Sequence, residues 1–95
     1  MMQIQRQEHG RRGAFFIEED GEWIAELTYI RSEDGEITID HAEIEEELRG
    51  EDLGKDLIKA AVEFARESGL KIRPACPFAR KVMNETPEYQ DVLAA

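Results

Sequence analysis

Residues 41–69, HAEIEEELRGEDLGKDLIKAAVEFARESG, decide the fold because the period of the apolar residues changes within them. Up to Ile44 apolar and polar residues alternate, as they do in a half-buried strand. After Gly50 they recur every three or four residues, which is typical of an amphipathic helix. A serine and a glycine at positions 68 and 69 are a helix stop signal. We therefore predict a strand, a glycine-containing turn, and a helix over about residues 53–67.

The first 45 residues predict antiparallel strands joined by short turns. Asp20-Gly21 is a hairpin signal, and the residues from Ser32 to Gly35 form a second turn. Short connections of this kind produce a meander rather than crossovers. The predicted strands cover residues 3–8 (the weakest of the patterns), 14–19, 22–30 and 36–44.

Strict alternation also predicts which side chains share a face of the third and fourth strands. In the third strand, one face carries Trp23, Ala25, Leu27 and Tyr29. In the fourth strand, one face carries Ile37, Ile39, His41 and Glu43, and the other carries Thr38, Asp40, Ala42 and Ile44. This alternation places an imidazole beside a carboxylate, a pair that suits general acid-base chemistry.

The segment after the helix predicts one more strand and two short helical turns. Residues 70–75 are apolar enough for a strand, which a crossover helix would place parallel to the strand ending at Ile44. Pro77 can open a short helix, with Phe78, Val82 and Met83 predicted to turn inward. Thr86-Pro87 then starts a last turn. The order predicts an α+β fold in a single domain spanning residues 1–95.

Composition limits the classes of function. The chain has 12 basic and 22 acidic residues, a formal net charge of −10, so we expect it to repel nucleic acid and to favour a basic or amine partner. It has no apolar run long enough to cross a membrane and no basic leader, which predicts a cytoplasmic protein. Cys76 is the single cysteine, so an internal disulfide is excluded. Two histidines and one cysteine without ligand spacing predict no metal site.

Four motifs resemble those of the minimal acetyltransferase-like family within the GNAT superfamily. They are His-x-Glu at residues 41–43, Arg-Gly-x-x-Leu-Gly at 49–54, Cys-Pro-Phe at 76–78 and Pro-Glu-Tyr at 87–89. The resemblance extends from about Phe15 to Leu93, which is most of the chain. It implies a reduced GNAT fold, in which an antiparallel meander is followed by a helix, a parallel strand and a short C-terminal helix.

The resemblance also implies a cosubstrate and its site. Acetyl-CoA, or coenzyme A, would enter between two splayed parallel strands, and backbone amides of the turn would bind its pyrophosphate. The acetyl group would pass to an unknown amine or basic acceptor, by a protein that is a monomer or a weak dimer. The residues implied for the coenzyme are Ile44, Arg49, Gly50, Glu51, Asp52, Leu53, Gly54 and Lys55.

The chain departs from the superfamily pattern at two positions. Asp52 occupies a glycine position of the turn; aspartate tolerates left-handed torsions, but its carboxylate is expected to cap the helix and occupy the phosphate site. Val82 stands where small family members often carry a tyrosine that protonates the departing thiolate, which leaves Tyr89 as the nearest alternative. Both departures also fit a catalytically silent binding or interaction module, which is the alternative function.

Three residues are candidates for catalysis, and they describe two routes. His41 or Glu43 could deprotonate the amine, directly or through water, for direct transfer. Cys76 could instead take the acetyl group first, since a thiol at a helix start can be nucleophilic. A small buried residue is the structural alternative for Cys76. Helix N–H groups favour the thiolate, and burial disfavours it. These two effects nearly cancel, and we expect by a small margin a reactive thiol in a cleft.

Overall fold

A computed structural model of the chain describes residues 3–94, except for the side chains of residues 49–51. Five strands form one sheet: β1 (Ile4–His9), β2 (Arg12–Glu19), β3 (Glu22–Arg31), β4 (Glu36–Ile44) and β5 (Lys71–Pro74). The helices are α1 (Leu53–Ser68) and α2 (Pro77–Asn84). A first 3₁₀ helix covers Glu46–Glu51 and a second covers Pro87–Val92. The predicted strands, helices and last turn are thus confirmed.

The strands lie in the order in which they occur along the chain. Each of β1 to β3 pairs antiparallel with the next strand, and β5 joins β4 in parallel after the α1 crossover, as predicted. Asp20 and Gly21 both have positive φ, 53° and 82°, which is the geometry of a two-residue hairpin turn. Gly69 ends α1 in the left-handed region, and its N–H donates to the carbonyl of Arg66.

The core lies between one face of the sheet and the two helices. Phe15, Ile17 and Leu27 contribute to it from the sheet, while Leu57 and Ile58 contribute from α1. Burial of this apolar surface is the main favourable term in folding. Among the described residues, no helix combines the length and the hydrophobicity that crossing a membrane would require.

A β-bulge in β3 corrects the predicted face of Trp23. Ile17 pairs with Ala25, but Glu18 pairs with Trp23, so Ile24 is an extra residue in the ladder. A bulge reverses the alternation of faces beyond it. Ile24 therefore belongs to the core, whereas Trp23 stacks on Phe16 with ring centroids 4.0 Å apart, on the opposite face of the sheet. The prediction that Trp23 shares the face of Ala25 is wrong.

A second bulge corrects the predicted faces of β4. Tyr29 pairs with Ile39 and Thr28 pairs with His41, so Asp40 is the extra residue. Beyond it the alternation is reversed: Ala42 packs against the core, while His41 lies on the outer face of the sheet. Ile44 lies on the same face as Ala42, and Glu43 lies on the same face as His41. His41 and Glu43 do share a face, but it is not the face of Ile37 and Ile39.

Candidate active site

A cleft opens where β4 and β5 separate. The two strands pair at only four positions, the last of which joins Ile39 to Pro74. The N–H groups of Ala75 and Cys76 both donate to the carbonyl of Ile39, at 2.9 and 3.2 Å, and no further pairing follows. The bulge at Asp40 turns the chain at the same point. A cavity of about 610 Å³ occupies the gap.

The cleft is lined by the end of β4 and by the first turns of both helices. Ile44, Asp52, Gly54 and Lys55, all implied by the resemblance as coenzyme-binding residues, line it. Leu53 is half-buried and packs against the core instead. The backbone of residues 49–51 lies in the first 3₁₀ helix, but their side chains, implied as part of the site, lie outside the described residues. The remaining lining residues are His41, Ala42, Glu43 and Phe78.

Gly54 allows α1 to begin directly against the floor of the cleft. A Cβ atom at this position would lie 2.6 Å from Cζ of Phe78 and 2.8 Å from Cδ1 of Ile44. Both distances are shorter than an ordinary carbon–carbon contact of about 3.5–4.0 Å. A larger residue would therefore displace a wall of the cleft.

Phe78 corrects another prediction from the sequence. It does not turn inward with Val82 and Met83, which are buried; its side chain is 39% exposed and faces the cleft. Ala79 is the buried residue in the first turn of α2. Phe78 lies 100° away from Ala79 around the helix, which is enough to move it from the core to the cleft. Together with Ala42, it is a cleft residue that the sequence pattern did not predict.

The turn before α1 has the predicted conformation but not the predicted cap. Asp52 adopts φ 59° and ψ 19°, in the left-handed region that aspartate tolerates. Its side chain makes no capping hydrogen bond, so the prediction that the carboxylate occupies the helix N–H groups is wrong. Side-chain capping normally needs an extended N-cap residue, and the left-handed torsions of Asp52 take its carboxylate away from that geometry. Its charge nevertheless remains at the cleft.

His41 and Glu43 form a pair beside the cleft. Nε2 of His41 lies 3.3 Å from Oε2 of Glu43, and the two side chains are 54% and 66% exposed. Both residues also line the cavity. Solvent can therefore reach the pair from the outer face of the sheet. The two side chains are positioned to accept and pass on a proton.

Cys76 lies in the core rather than in the cleft. Its residue is 9% exposed, its Sγ accepts a hydrogen bond from the N–H of Ala79 at 3.3 Å, and it is the N-cap of α2. It is not among the residues that line the cavity. The expectation of a thiol exposed in a cleft is therefore wrong in its placement. Acylation of the thiol stays a prediction for experiment.

The candidate proton donors for a leaving thiolate lie elsewhere. Val82 is buried in the core. Tyr89 is half-buried in the second 3₁₀ helix and does not line the cleft; burial, followed by the nearby charge of Glu88, raises the pKa of its hydroxyl. Among the described residues, no group of three or more acidic, histidine or cysteine side chains could hold a metal ion.

Comparisons with known proteins agree with this arrangement. A sequence model of the family described as GCN5-related N-acetyl-transferase matches residues 14–92. The NMR structure of a Staphylococcus aureus protein, described as GCN5-like and as a candidate N-acetyltransferase, is 38% identical with a TM-score of 0.77. That match covers 98% of this chain and 88% of the other.

Two further matches are shorter or show the fold alone. Protein NATD1 of Danio rerio is 38% identical over 58 residues, which are 59% of this chain and 53% of that protein. The chain thus spans about half the length of this curated relative. A ribosomal-protein-alanine N-acetyltransferase from Brucella melitensis biovar Abortus is 20% identical with a TM-score of 0.64, over 90% of this chain and 64% of the other, which shows a common fold.

Proposed function

Because the chain belongs to the family of GCN5-related N-acetyltransferases, we propose that it binds acetyl-CoA in the cleft beside β4 and transfers the acetyl group to an amine. The observation that carries this proposal is the separation of β4 from β5. It opens a cavity of about 610 Å³ whose floor includes Gly54, at the start of a 16-residue helix. Acetyl-CoA supplies, when bound, a thioester carbonyl for the amine to attack and a thiolate that departs.

The lining of the cleft suits the pantetheine arm of the coenzyme. Ala42, Ile44 and Phe78 offer apolar surface to its hydrocarbon parts. Beyond Ile39, β5 no longer pairs with β4, so backbone groups of residues 41–43 on that edge can bind the amides of the arm in the manner of an added strand.

The first turn of α1 suits the pyrophosphate. A helix N-terminus presents N–H groups and the positive end of the peptide dipoles to an anion. The carboxylate of Asp52 makes no hydrogen bond to these groups, so they can serve a ligand. Lys55 adds a positive charge at the cleft, whereas Asp52 adds a negative one. We therefore expect binding that the Asp52 charge weakens.

The His41–Glu43 pair would take the proton of the acceptor. As the amine nitrogen bonds to the thioester carbonyl, its proton passes to the imidazole or, through water, to the carboxylate. The carbon–sulfur bond then breaks and sulfur leaves with its electron pair. An ordinary thiol has a pKa of about 8.5, so the leaving thiolate needs little help from an acid. Direct transfer is favoured over a Cys76 intermediate because that sulfur lies outside the cleft.

A catalytically silent binding module is the second candidate. Asp52 favours it by placing a like charge where an anionic coenzyme would sit, and Val82 favours it by supplying no hydroxyl in α2. A silent module would hold the coenzyme, or a protein partner, without turnover. Binding and catalysis must therefore be measured separately.

Binding can be tested by thermal unfolding of the intact chain with acetyl-CoA. Ligand at about 100 times its dissociation constant stabilises a protein by about 2.7 kcal/mol. The variant Gly54→Ala should lose this stabilisation because its methyl group displaces Phe78 and Ile44. Ala60→Gly, a change in the middle of α1 away from the cleft, is the control. No stabilisation of the parent protein by millimolar acetyl-CoA would contradict the proposal.

Catalysis can be tested with His41→Gln and Glu43→Gln. Each should retain acetyl-CoA binding but lose about 10²-fold in acetylation of a competent amine, the usual contribution of a positioned base. His9→Gln removes the other imidazole, on β1, and is the matched control. Activity that is unchanged in both variants would exclude the pair as the base. Tight binding without turnover on any amine would support the silent module.

A further inference from the structure

One segment of this acidic chain has no acidic residue. Residues 69–84, which cover β5 and α2, contain Lys71, Arg73, Arg80 and Lys81 but no aspartate or glutamate. All 22 acidic residues lie outside this segment. The segment therefore contributes a basic surface at the β5 edge of the sheet, where Glu36 of β4 pairs with Arg73.

A second cavity, of about 420 Å³, lies within this basic surface. Arg73, Arg80 and Asn84 provide its polar side chains, and residues 74–75 and 93–94 complete it. Arg80 and Asn84 are one turn apart, so they share a face of α2. Phe78, which lines the cleft, lies about 200° away from Arg80 around the helix. The helix thus separates this cavity from the cleft.

The guanidinium of Arg73 is held in place with donors to spare. Its Nε and Nη2 donate to the two carboxylate oxygens of Glu36, at 3.2 and 3.4 Å. Within residues 3–94 as described, no hydrogen bond engages its Nη1. In the same part of the chain, neither an ion pair nor a hydrogen bond engages the side chains of Arg80 and Asn84. The cavity therefore combines one fixed guanidinium, one uncommitted guanidinium and an amide.

We propose that this cavity binds a small phosphate monoester. A monoester carries a charge of −1.5 to −2 at neutral pH and several strong acceptor oxygens, which match the guanidinium fork of Arg80, the remaining donors of Arg73 and an amide donor. The cavity is larger than one phosphate group, so an organic part of the ligand also fits. In a protein of net charge −10, a dianion needs a local basic field of this kind. The site is independent of the function proposed for the cleft.

The test is an NMR titration of the intact ¹⁵N-labelled protein with glycerol phosphate at constant ionic strength, with acetate as the comparison ligand. We expect saturable shifts of the amides of residues 73, 75, 80, 84, 93 and 94, and much weaker binding of acetate. Arg80→Gln should weaken the binding of glycerol phosphate by about tenfold, because it removes a charge-assisted hydrogen bond. Lys81→Gln removes the same charge one residue away, outside the cavity, and should change affinity by less than about twofold.

Several results would overturn this site. Shifts that do not saturate, or that centre on residues 52–55 at the start of α1, would place the anion elsewhere. If Arg80→Gln and Lys81→Gln weakened the binding of glycerol phosphate equally, overall charge and not the cavity would explain the binding. Acetate binding as tightly as glycerol phosphate would exclude selectivity for a phosphate monoester. Each of these outcomes is distinct from failure of acetyl-CoA to bind the cleft, which the experiments on Gly54 measure.

Discussion

The two ends of the sheet are built in opposite ways. At the end that we name the locked end, the hydroxyl of Tyr29 donates to Glu8 at 2.6 Å and accepts from Arg6 at 3.0 Å. The guanidiniums of Arg6 and Arg31 lie 4.2 and 5.6 Å from the ring centre of Phe64, on α1. At the open end, β4 and β5 separate and leave the cleft. Side-chain bonds close one end, while the other keeps a gap beside the same helix.

The difference shows how a domain of 95 residues can keep a cleft and remain ordered. A small domain buries a limited fraction of its surface, so an unfilled gap lowers its stability. Hydrogen bonds and cation–π contacts at the locked end hold β1, β3 and α1 together. The residues that line the cleft do not have to provide these contacts.

The largest expected effect compares two glycines that each face an aromatic ring. A Cβ at Gly13 would collide with the ring of Tyr29, which is 1% exposed and cannot move aside. Gly13→Ala should therefore destabilise the fold by about 3 kcal/mol, the upper range for overpacking. Gly54→Ala collides with the partly exposed Phe78, which can rotate into solvent, so its stability should change by less than about 1 kcal/mol.

Urea unfolding of both variants measures this difference. Two-state transitions with unchanged m-values would show that the substitution lowers stability through the native state rather than through the denatured state. If Gly13→Ala and Gly54→Ala lost equal stability, the locked end would be no more rigid than the open end. The comparison between the two ends would then be wrong.

The next effect is the dependence of stability on alkaline pH. Burial, and then the hydrogen bond to Glu8, raise the pKa of Tyr29 above its ordinary value of 10.0. A raised pKa in the folded state means that the stabilisation is complete below pH 10 and is lost as the pH rises through the folded pKa. Stability should therefore fall above pH 10, by up to about 1.4 kcal/mol per pH unit for this one group.

Tyr29→Phe should flatten this alkaline decline, and Tyr89→Phe is the control. Tyr89 also has a raised pKa, but it is half-buried in the second 3₁₀ helix, so its removal should change the slope less. Denaturant midpoints measured from pH 8 to 11 would give both slopes. An unaltered decline in Tyr29→Phe would mean that other groups at the locked end control alkaline stability.

The sequence predicted the order of elements because the period of the apolar residues reports burial directly. It did not predict the face of Trp23, which precedes the bulge at Ile24, or the faces of residues 41–44, which follow the bulge at Asp40. A bulge adds one residue and so reverses the faces on one side of it relative to the other, and no residue type marks where it occurs. The open end contains most of the errors. The cap at Asp52 and the direction of Phe78 depend on local torsion and helix phase, which a pattern of residue types does not resolve.

A smaller effect concerns the charge at the open end. Since the carboxylate of Asp52 forms no cap, only its charge and its left-handed backbone can affect an anionic ligand. Asp52→Asn removes the charge but keeps a residue that tolerates left-handed torsions, and Asp52→Gly also relieves the backbone. Both should bind acetyl-CoA about fivefold more tightly, in line with a dipole-region charge of about 1 kcal/mol.

Isothermal titration of the two Asp52 variants separates these contributions. A gain confined to Asp52→Gly would assign the weakness to the backbone of the turn. If neither variant bound acetyl-CoA more tightly, Asp52 would not be what weakens binding. One reason to consider a silent module would then be lost. Unfolding midpoints of the free proteins should be recorded beside the affinities, because relief of left-handed strain would also raise stability.

The smallest expected effect is at Cys76, between the core and the cleft. Cys76→Ala removes an N-cap acceptor from the N–H of Ala79 and should cost about 0.5–1 kcal/mol of stability, while Cys76→Ser should retain the cap. Because the thiol is buried, neither change should affect acetyl transfer. Intact-mass measurement after incubation with acetyl-CoA should show no hydroxylamine-sensitive acetyl group. An adduct that is present in the parent and absent from Cys76→Ala, together with loss of amine acetylation in that variant, would establish the covalent route and would require the core at α2 to open during the reaction.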